Sequence, residues 1–202
     1  IFFEDINILR LTKSDLLKKL ESKGFKDSFN FARGKRGVII KSKLDNKNVS
    51  IKIKNENSDA FGNLEIEYKF LKTLNEHNIG PKVISFTDNM LVYEFQNGIL
   101  IEEYIENNNK QNIIKVLTNV FNQMYTMDEL GINKFEMHHP VKHVIIDKHT
   151  PVLLDFERCR NTEDPKNISQ FCDYMLRISK QLSNKNINFD RDELIELSKE
   201  YK

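Results

Sequence analysis

An α+β chain in two lobes is predicted: an antiparallel five-stranded first lobe with its own helices, then a second lobe built mostly of helices. Three observations predict it. Strand-like runs separated by turn residues fill positions 28–53, an apolar stripe at helical spacing follows, and beyond Gln96-Asn97-Gly98 the pattern is largely helical. One domain over 1–202 is expected, with 1–96 as the first lobe and 97–202 as the second.

Thr12 to Lys23 carries an N-cap candidate in Thr12 or Ser14, an apolar stripe of Leu16, Leu17 and Leu20, and a stop at Gly24. It predicts a short helix. Ser28–Ala32, Val38–Lys41 and Val49–Ile53 then read as strands, joined by the basic turn Arg33-Gly34-Lys35-Arg36-Gly37 and by Asp45-Asn46-Lys47-Asn48, which makes an antiparallel meander. Leu64, Glu67, Leu71 and Leu74 recur at helical spacing and predict a helix over about 58–76, stopped by Asn78-Ile79-Gly80-Pro81. Val83–Phe86 and Met90–Phe95 complete the sheet, with a turn at Thr87-Asp88-Asn89. In the second lobe helices are expected near 100–106, 111–130, 167–182 and 190–199, with a loop over 133–142 and short strands at Val144–Asp147 and Val152–Asp155.

Composition narrows the function classes. With 31 basic and 30 acidic residues the net charge is +1, which offers no bulk attraction for nucleic acid or an anionic membrane. Two cysteines, Cys159 and Cys172, are too few for a disulfide framework, so a reduced compartment is expected. No apolar run approaches the roughly 20 residues of a membrane span, and the acidic start Ile1-Phe2-Phe3-Glu4-Asp5 is unlike a basic signal region. The cytoplasm is the expected location.

The chemistry concentrates in ordered motifs. A lysine closes the third strand in Val49-Ser50-Ile51-Lys52, which resembles the Val-Ala-Ile-Lys motif of protein kinases. On the next helix Glu65 lines up with Lys69 and Lys72 on the polar face, whereas Glu67 falls among Leu64, Leu71 and Leu74. Glu67 therefore points inward, where a cation must neutralise it. A boundary residue that snorkels outward is the plainer alternative. Downstream, Pro151-Val152-Leu153-Leu154-Asp155-Phe156-Glu157 delivers one carboxylate and then an aromatic, resembling the Asp-Phe-Gly element with Glu157 in place of glycine.

Sheet, glycine turn, strand with lysine, helix with glutamate, strand, helices, loop and strand with Asp-Phe follow the order of a protein-kinase-like fold. Over residues 29–171 the chain is similar to the atypical RIO lineage, to the related kinase of the KEOPS complex, and most of all to an archaeal group of predicted serine/threonine kinases. The resemblance implies a reduced C-terminal lobe and ATP held between the lobes with Mg²⁺ or Mn²⁺. It implies that Gly34, Gly37 and Val38, with Arg33, Lys35 and Arg36, cover the phosphates. Lys52 would grip them, Glu67 would orient Lys52, and Met90-Leu91-Val92-Tyr93-Glu94-Phe95-Gln96 would be the hinge whose Glu94 carbonyl and Gln96 N–H meet adenine. Asp155 would hold the metal.

The loop Phe135-Glu136-Met137-His138-His139-Pro140-Val141-Lys142-His143 departs from that pattern. Counting back from Val144 puts His143 where a second metal ligand belongs and His138 where the base belongs, with Glu136 as the alternative base. Imidazole can accept a proton near neutral pH and as a ligand favours Mn²⁺ over Mg²⁺. His139 and His143 are also spaced i, i+4, a zinc-like spacing that Pro140 opposes. Glu157 is expected to give a fixed turn and could add to metal binding, with Asp155 alone the safer ligand, and Arg158 is expected to pair with Glu157 or with phosphate.

The leading function is phosphoryl transfer from ATP to a Ser or Thr hydroxyl, on a protein substrate or on the chain itself. The alternatives are a nucleotide-binding pseudokinase, and an RNA-associated scaffold using Arg33, Lys35, Arg36, Lys41 and Lys43. A small-molecule kinase ranks below these. Oligomeric state is not encoded in any motif.

Overall fold

The computed structural model describes residues 13–33, 37–54, 64–87 and 90–201. Thr12, Gly34, Lys35, Arg36, the start of the helix expected from 58 and the turn residues Asp88 and Asn89 lie outside them. The chain divides into two compact units, Ile1–Gln96 and Asn97–Lys202.

In the first unit α1 (Lys13–Ser22) ends in a left-handed glycine, Gly24 at φ +90°. The Phe25 N–H then reaches back to the Leu20 carbonyl at 3.1 Å and the Gly24 N–H to that of Glu21 at 3.0 Å, a Schellman closure that satisfies carbonyls the helix leaves open. Leu20 and Phe25, brought together by that closure, share a core with Ile40, Val49, Ile51, Ile53, Met90 and Val92. The sheet is antiparallel, in the order β1 (Lys26–Arg33), β2 (Gly37–Leu44), β3 (Lys47–Lys54), β5 (Met90–Glu94), β4 (Val83–Thr87). The β2–β3 turn is tighter than expected. Leu44 pairs with Lys47, so only Asp45 and Asn46 turn the chain, at φ +48° and +63°. Two left-handed residues match the twist of the flanking strands, and Asp and Asn bear that conformation better than most residues do.

Helix α2 (Leu64–Asn75) buries Leu64, Glu67, Leu71 and Leu74. Its exit is fixed by Asn75. The side-chain amide donates to the carbonyls of Ile79 and Pro81, both at 3.1 Å, and its oxygen accepts from the Val83 N–H at 2.8 Å, which sets the entry of β4.

The second unit opens with a short strand, β6 (Ile99–Leu100), which pairs with β8 (Val144–Asp147), itself paired with β9 (Thr150–Leu153). Gly98 has no freedom there, because a Cβ would collide with the carbonyl of Ile146. Helices α3 (Ile101–Asn107) and α4 (Lys110–Glu129) follow, the second capped by the Asn109 side chain, which accepts from the Asn112 N–H at 3.0 Å. The loop expected over 133–142 begins inside a strand, since β7 (Ile132–Asn133) pairs with β10 (Arg160–Asn161). The helix expected over 167–182 breaks at Ile178 into α5 (Asn167–Arg177) and α6 (Ser179–Ser183), and α7 (Arg191–Glu200) is capped by Asp190.

A buried polar knot ties α4, α5 and β7. The Asp128 carboxylate accepts from the Asn167 backbone N–H at 3.0 Å, the Asn167 side chain at 2.6 Å and the Ile168 N–H at 3.1 Å. It caps α5 from another helix, which matters because Lys166 provides no cap of its own. Cys159 and Cys172 are both buried, and burial pushes the Cys172 thiol up from its ordinary value. No helix among the described residues is long and apolar enough to cross a membrane.

Candidate functional site

Paired residues of adjacent strands share a face of the sheet, and that decides which groups accompany Lys52. Lys52 pairs with Ile39 on β2 and with Leu91 on β5, whereas Val38 pairs with Ile53. Val38 packs with the α1-facing core, whereas Ile39 stands on the lysine's face. Gly37, opposite Lys54 at the start of β2, belongs to the Lys52 face, while Gly34 lies outside the described residues.

On that face the Lys52 ammonium donates to Glu67 Oε2 at 2.6 Å, with the side chains 11% and 2% exposed. Helix α2 aims Glu67 at the sheet because it falls in register with Leu64, Leu71 and Leu74. Glu65, on the opposite face, makes an exposed i, i+4 pair with Lys69 at 2.7 Å.

At the end of β5 the backbone is already engaged. The Glu94 N–H donates to the Lys82 carbonyl at 2.9 Å, Phe95 donates to the Asn48 carbonyl at 3.1 Å, and the Gln96 side chain donates to the Glu94 carbonyl at 3.0 Å. An adenine amine would have to displace that amide. The Phe95 ring takes Phe31 edge-on, with centroids 5.1 Å apart, and carries the Lys41 ammonium 3.7 Å from its centre. Lys43 pairs with Asp27 at 2.8 Å. Two cations of the expected basic patch are thus committed locally.

In the second unit strand register gathers the acidic groups. Strand β9 stops at Leu153, two residues earlier than expected, so Asp155 stands beyond the strand with φ +64°. The positive φ falls on Asp155 itself rather than at position 157. Because Val144 pairs with Leu153, the residues just outside that pair meet: the Leu154 N–H donates to the His143 carbonyl at 2.8 Å, and His143 Nδ1 lies 3.9 Å from Asp155 Oδ2. That Nδ1 is buried and makes no hydrogen bond. Burial first, then the Lys134 ammonium, hold the His143 imidazole below its ordinary value, against the opposing fields of Asp155 and Glu136. Carboxylate oxygens of Asp155 and Glu157 lie within 4.8 Å of one another.

The β7–β10 ladder brings the loop after Asn133 against the segment after Asp155. Glu136 lies between two cations, with Oε2 3.5 Å from Lys134 and Oε1 3.4 Å from Arg158. Arg158 thus meets Glu136 rather than Glu157. Of the two bases the sequence offered, His138 is exposed and its Nδ1 meets the Phe135 carbonyl at 3.0 Å. Glu136 is the one inside it. His139, the partner of His143 in the zinc-like spacing, is exposed, and among the described residues no group of three or more metal-ligating side chains includes it.

Lys134 was not singled out from the sequence. It is fully buried, donates to the Asp155 carbonyl, and sits 5.1 Å from the centre of the Phe156 ring. Its neighbours Asn133 and Phe135 are not a strong apolar stripe, and a lysine in a loop ordinarily reads as solvated.

Asp155 and Glu157 belong to a group of acidic side chains that could hold a metal ion. No family model matches the chain, and no curated protein matches it.

Proposed function

We propose that this chain is an ATP- and divalent-cation-dependent phosphotransferase acting on Ser or Thr hydroxyls, of a protein substrate or of itself, with its two units as the lobes of a protein-kinase-like fold. The observation that carries the reading is the buried Lys52–Glu67 pair at 2.6 Å. Replacing a buried ion pair by apolar residues is often neutral or stabilising, so packing alone gives little reason for a lysine and a glutamate there. A lysine held by a buried glutamate is fixed in position with protons left to donate to phosphate oxygens.

In this reading Lys52 orients the phosphates. Asp155, with Glu157 and His143, holds the cation, Mg²⁺ or Mn²⁺, which when bound neutralises charge on the phosphate oxygens. Glu136 orients the acceptor hydroxyl and takes its proton. The hydroxyl oxygen bonds to the γ-phosphorus as the bond from that phosphorus to the β–γ bridging oxygen breaks, and ADP leaves with the electron pair.

One observation favours a second reading. Both Glu136 oxygens face cations, at 3.5 and 3.4 Å, so the carboxylate is already engaged rather than open to an acceptor hydroxyl. A nucleotide-binding pseudokinase would follow. Thermal melts with ATP and Mg²⁺ or Mn²⁺, beside a radiolabelled autophosphorylation assay, separate the two. Phosphotransfer predicts stabilisation with label incorporation, both lost in a folded Asp155→Ala variant; the pseudokinase predicts stabilisation without label. Neither effect in the wild-type chain refutes both.

A further inference from the structure

We propose that Lys134 is a positioning residue: it holds the backbone at Asp155 in its left-handed conformation and so presents the Asp155 carboxylate beside Glu157 and His143. This rests on the cation site of the proposed phosphotransferase. It assigns a role to a side chain that touches neither nucleotide nor cation in that reading.

A fully buried lysine demands an explanation, because an ammonium leaves water only at considerable cost. Its partners are the Asp155 carbonyl, the Glu136 carboxylate at 3.5 Å and the Phe156 ring face. The carbonyl it grips belongs to a non-glycine residue at φ +64°, a conformation that survives only where its surroundings over-determine it. Lys134 is itself anchored on both sides of its backbone. Its N–H donates to Asn167 Oδ1 at 2.7 Å, its carbonyl accepts from Gln170 Nε2 at 3.1 Å, and Asn167 donates to the Ile132 carbonyl at 2.6 Å and to Asp128 at 2.6 Å. The hydrogen-bonded junction of α4, α5 and β7 therefore reaches the Asp155 carbonyl through the Lys134 side chain.

If Lys134 were only a buried strut, its loss would lower stability and leave cation affinity alone. As a positioning residue, its loss frees Asp155 to relax toward an extended φ, which swings the carboxylate away from Glu157 and His143.

The test measures apparent affinity for Mn²⁺·ATP on the full chain by thermal-shift titration, with the melting point in EDTA recorded separately, for wild type, Lys134→Met, Lys134→Arg and Asp155→Asn. Methionine keeps the length without the donor, and arginine keeps charge and donors. The expected result is an affinity for Lys134→Met at least about tenfold weaker, as loss of a charge-assisted hydrogen bond implies, with Lys134→Arg within about threefold of wild type. Wild-type affinity in Lys134→Met overturns the proposal. Should Lys134→Met lack a cooperative melt, Lys134→Arg decides: an affinity as weak as that of Asp155→Asn overturns it, and near-native affinity upholds it. If Asp155→Asn binds Mn²⁺·ATP as wild type does, the cation site itself is wrong, a failure distinct from that of Lys134.

Discussion

Removing the charge of Lys52 alone, and then together with that of Glu67, should give opposite outcomes. At 2.6 Å and an effective dielectric near 20, the attraction between the two charges is about 6 kcal/mol, set against a desolvation cost of several kcal/mol for each ion. The net worth of the pair is small, but the penalty for breaking it is not. Glu67 is 2% exposed, so Lys52→Met takes the cation at 2.6 Å from a buried carboxylate on a stripe with Leu64, Leu71 and Leu74, and the expected loss is about 3–5 kcal/mol. The double variant Lys52→Met/Glu67→Leu removes the buried carboxylate as well and should return to within about 1 kcal/mol of wild type. Urea unfolding followed by far-UV circular dichroism, with all four members of the cycle at one pH and ionic strength, reads this directly. A double variant as unstable as the sum of the two singles would refute the reasoning, as would a Lys52→Met loss near the few tenths typical of exposed pairs.

The low-lying imidazole of His143 gives a pH signature. Its folded value is below its unfolded one, so the unfolded chain takes up the proton first; the stability contribution is present above the unfolded value near 6.5 and is lost as pH falls toward the folded value. His143→Gln should flatten the dependence of urea midpoint on pH below about 6.5, and an unchanged slope would count against it. Asn167→Ala removes a buried amide with several partners and should cost about 2–4 kcal/mol in the same unfolding assay, with faster hydrogen exchange at the Lys134 amide. Lys148 turns the β8–β9 hairpin at φ +46°, a conformation glycine adopts freely, so Lys148→Gly should stabilise by about 0.5–1 kcal/mol; a lower melting point would contradict it.

Most of the first unit was legible in its periodicity. Alternating strands with turn residues predict the meander, and Glu67 on the leucine stripe predicts an internal cation partner, met by Lys52. The resemblance, by contrast, implies Val38 at the nucleotide but carries no information on which face of the sheet it shares. The pairing of Ile39 with Lys52 answers that, and pairing is a property of the folded sheet. In the second unit the two-residue strands β7 and β10 are too short for any period to register, yet their ladder brings Glu136 to Arg158 and Lys134 to the Asp155 carbonyl. The choice between His138 and Glu136 depended on that ladder. Leu154 continues an apolar run and, with Asp155 closing it, reads as strand, but the Leu154 N–H is spent on the His143 carbonyl and the chain then turns left-handed.

The two thiols offer an experimental handle. Cys159 and Cys172 are 6% and 5% exposed, so brief treatment of the native protein with a maleimide should leave both untouched. A cysteine introduced at an exposed position, such as Lys69 in the first unit or Lys142 in the second, would then be the reactive one. Spin labels or fluorophores attached in pairs at such sites would report the separation of the two units in solution, with and without nucleotide, on the wild-type background.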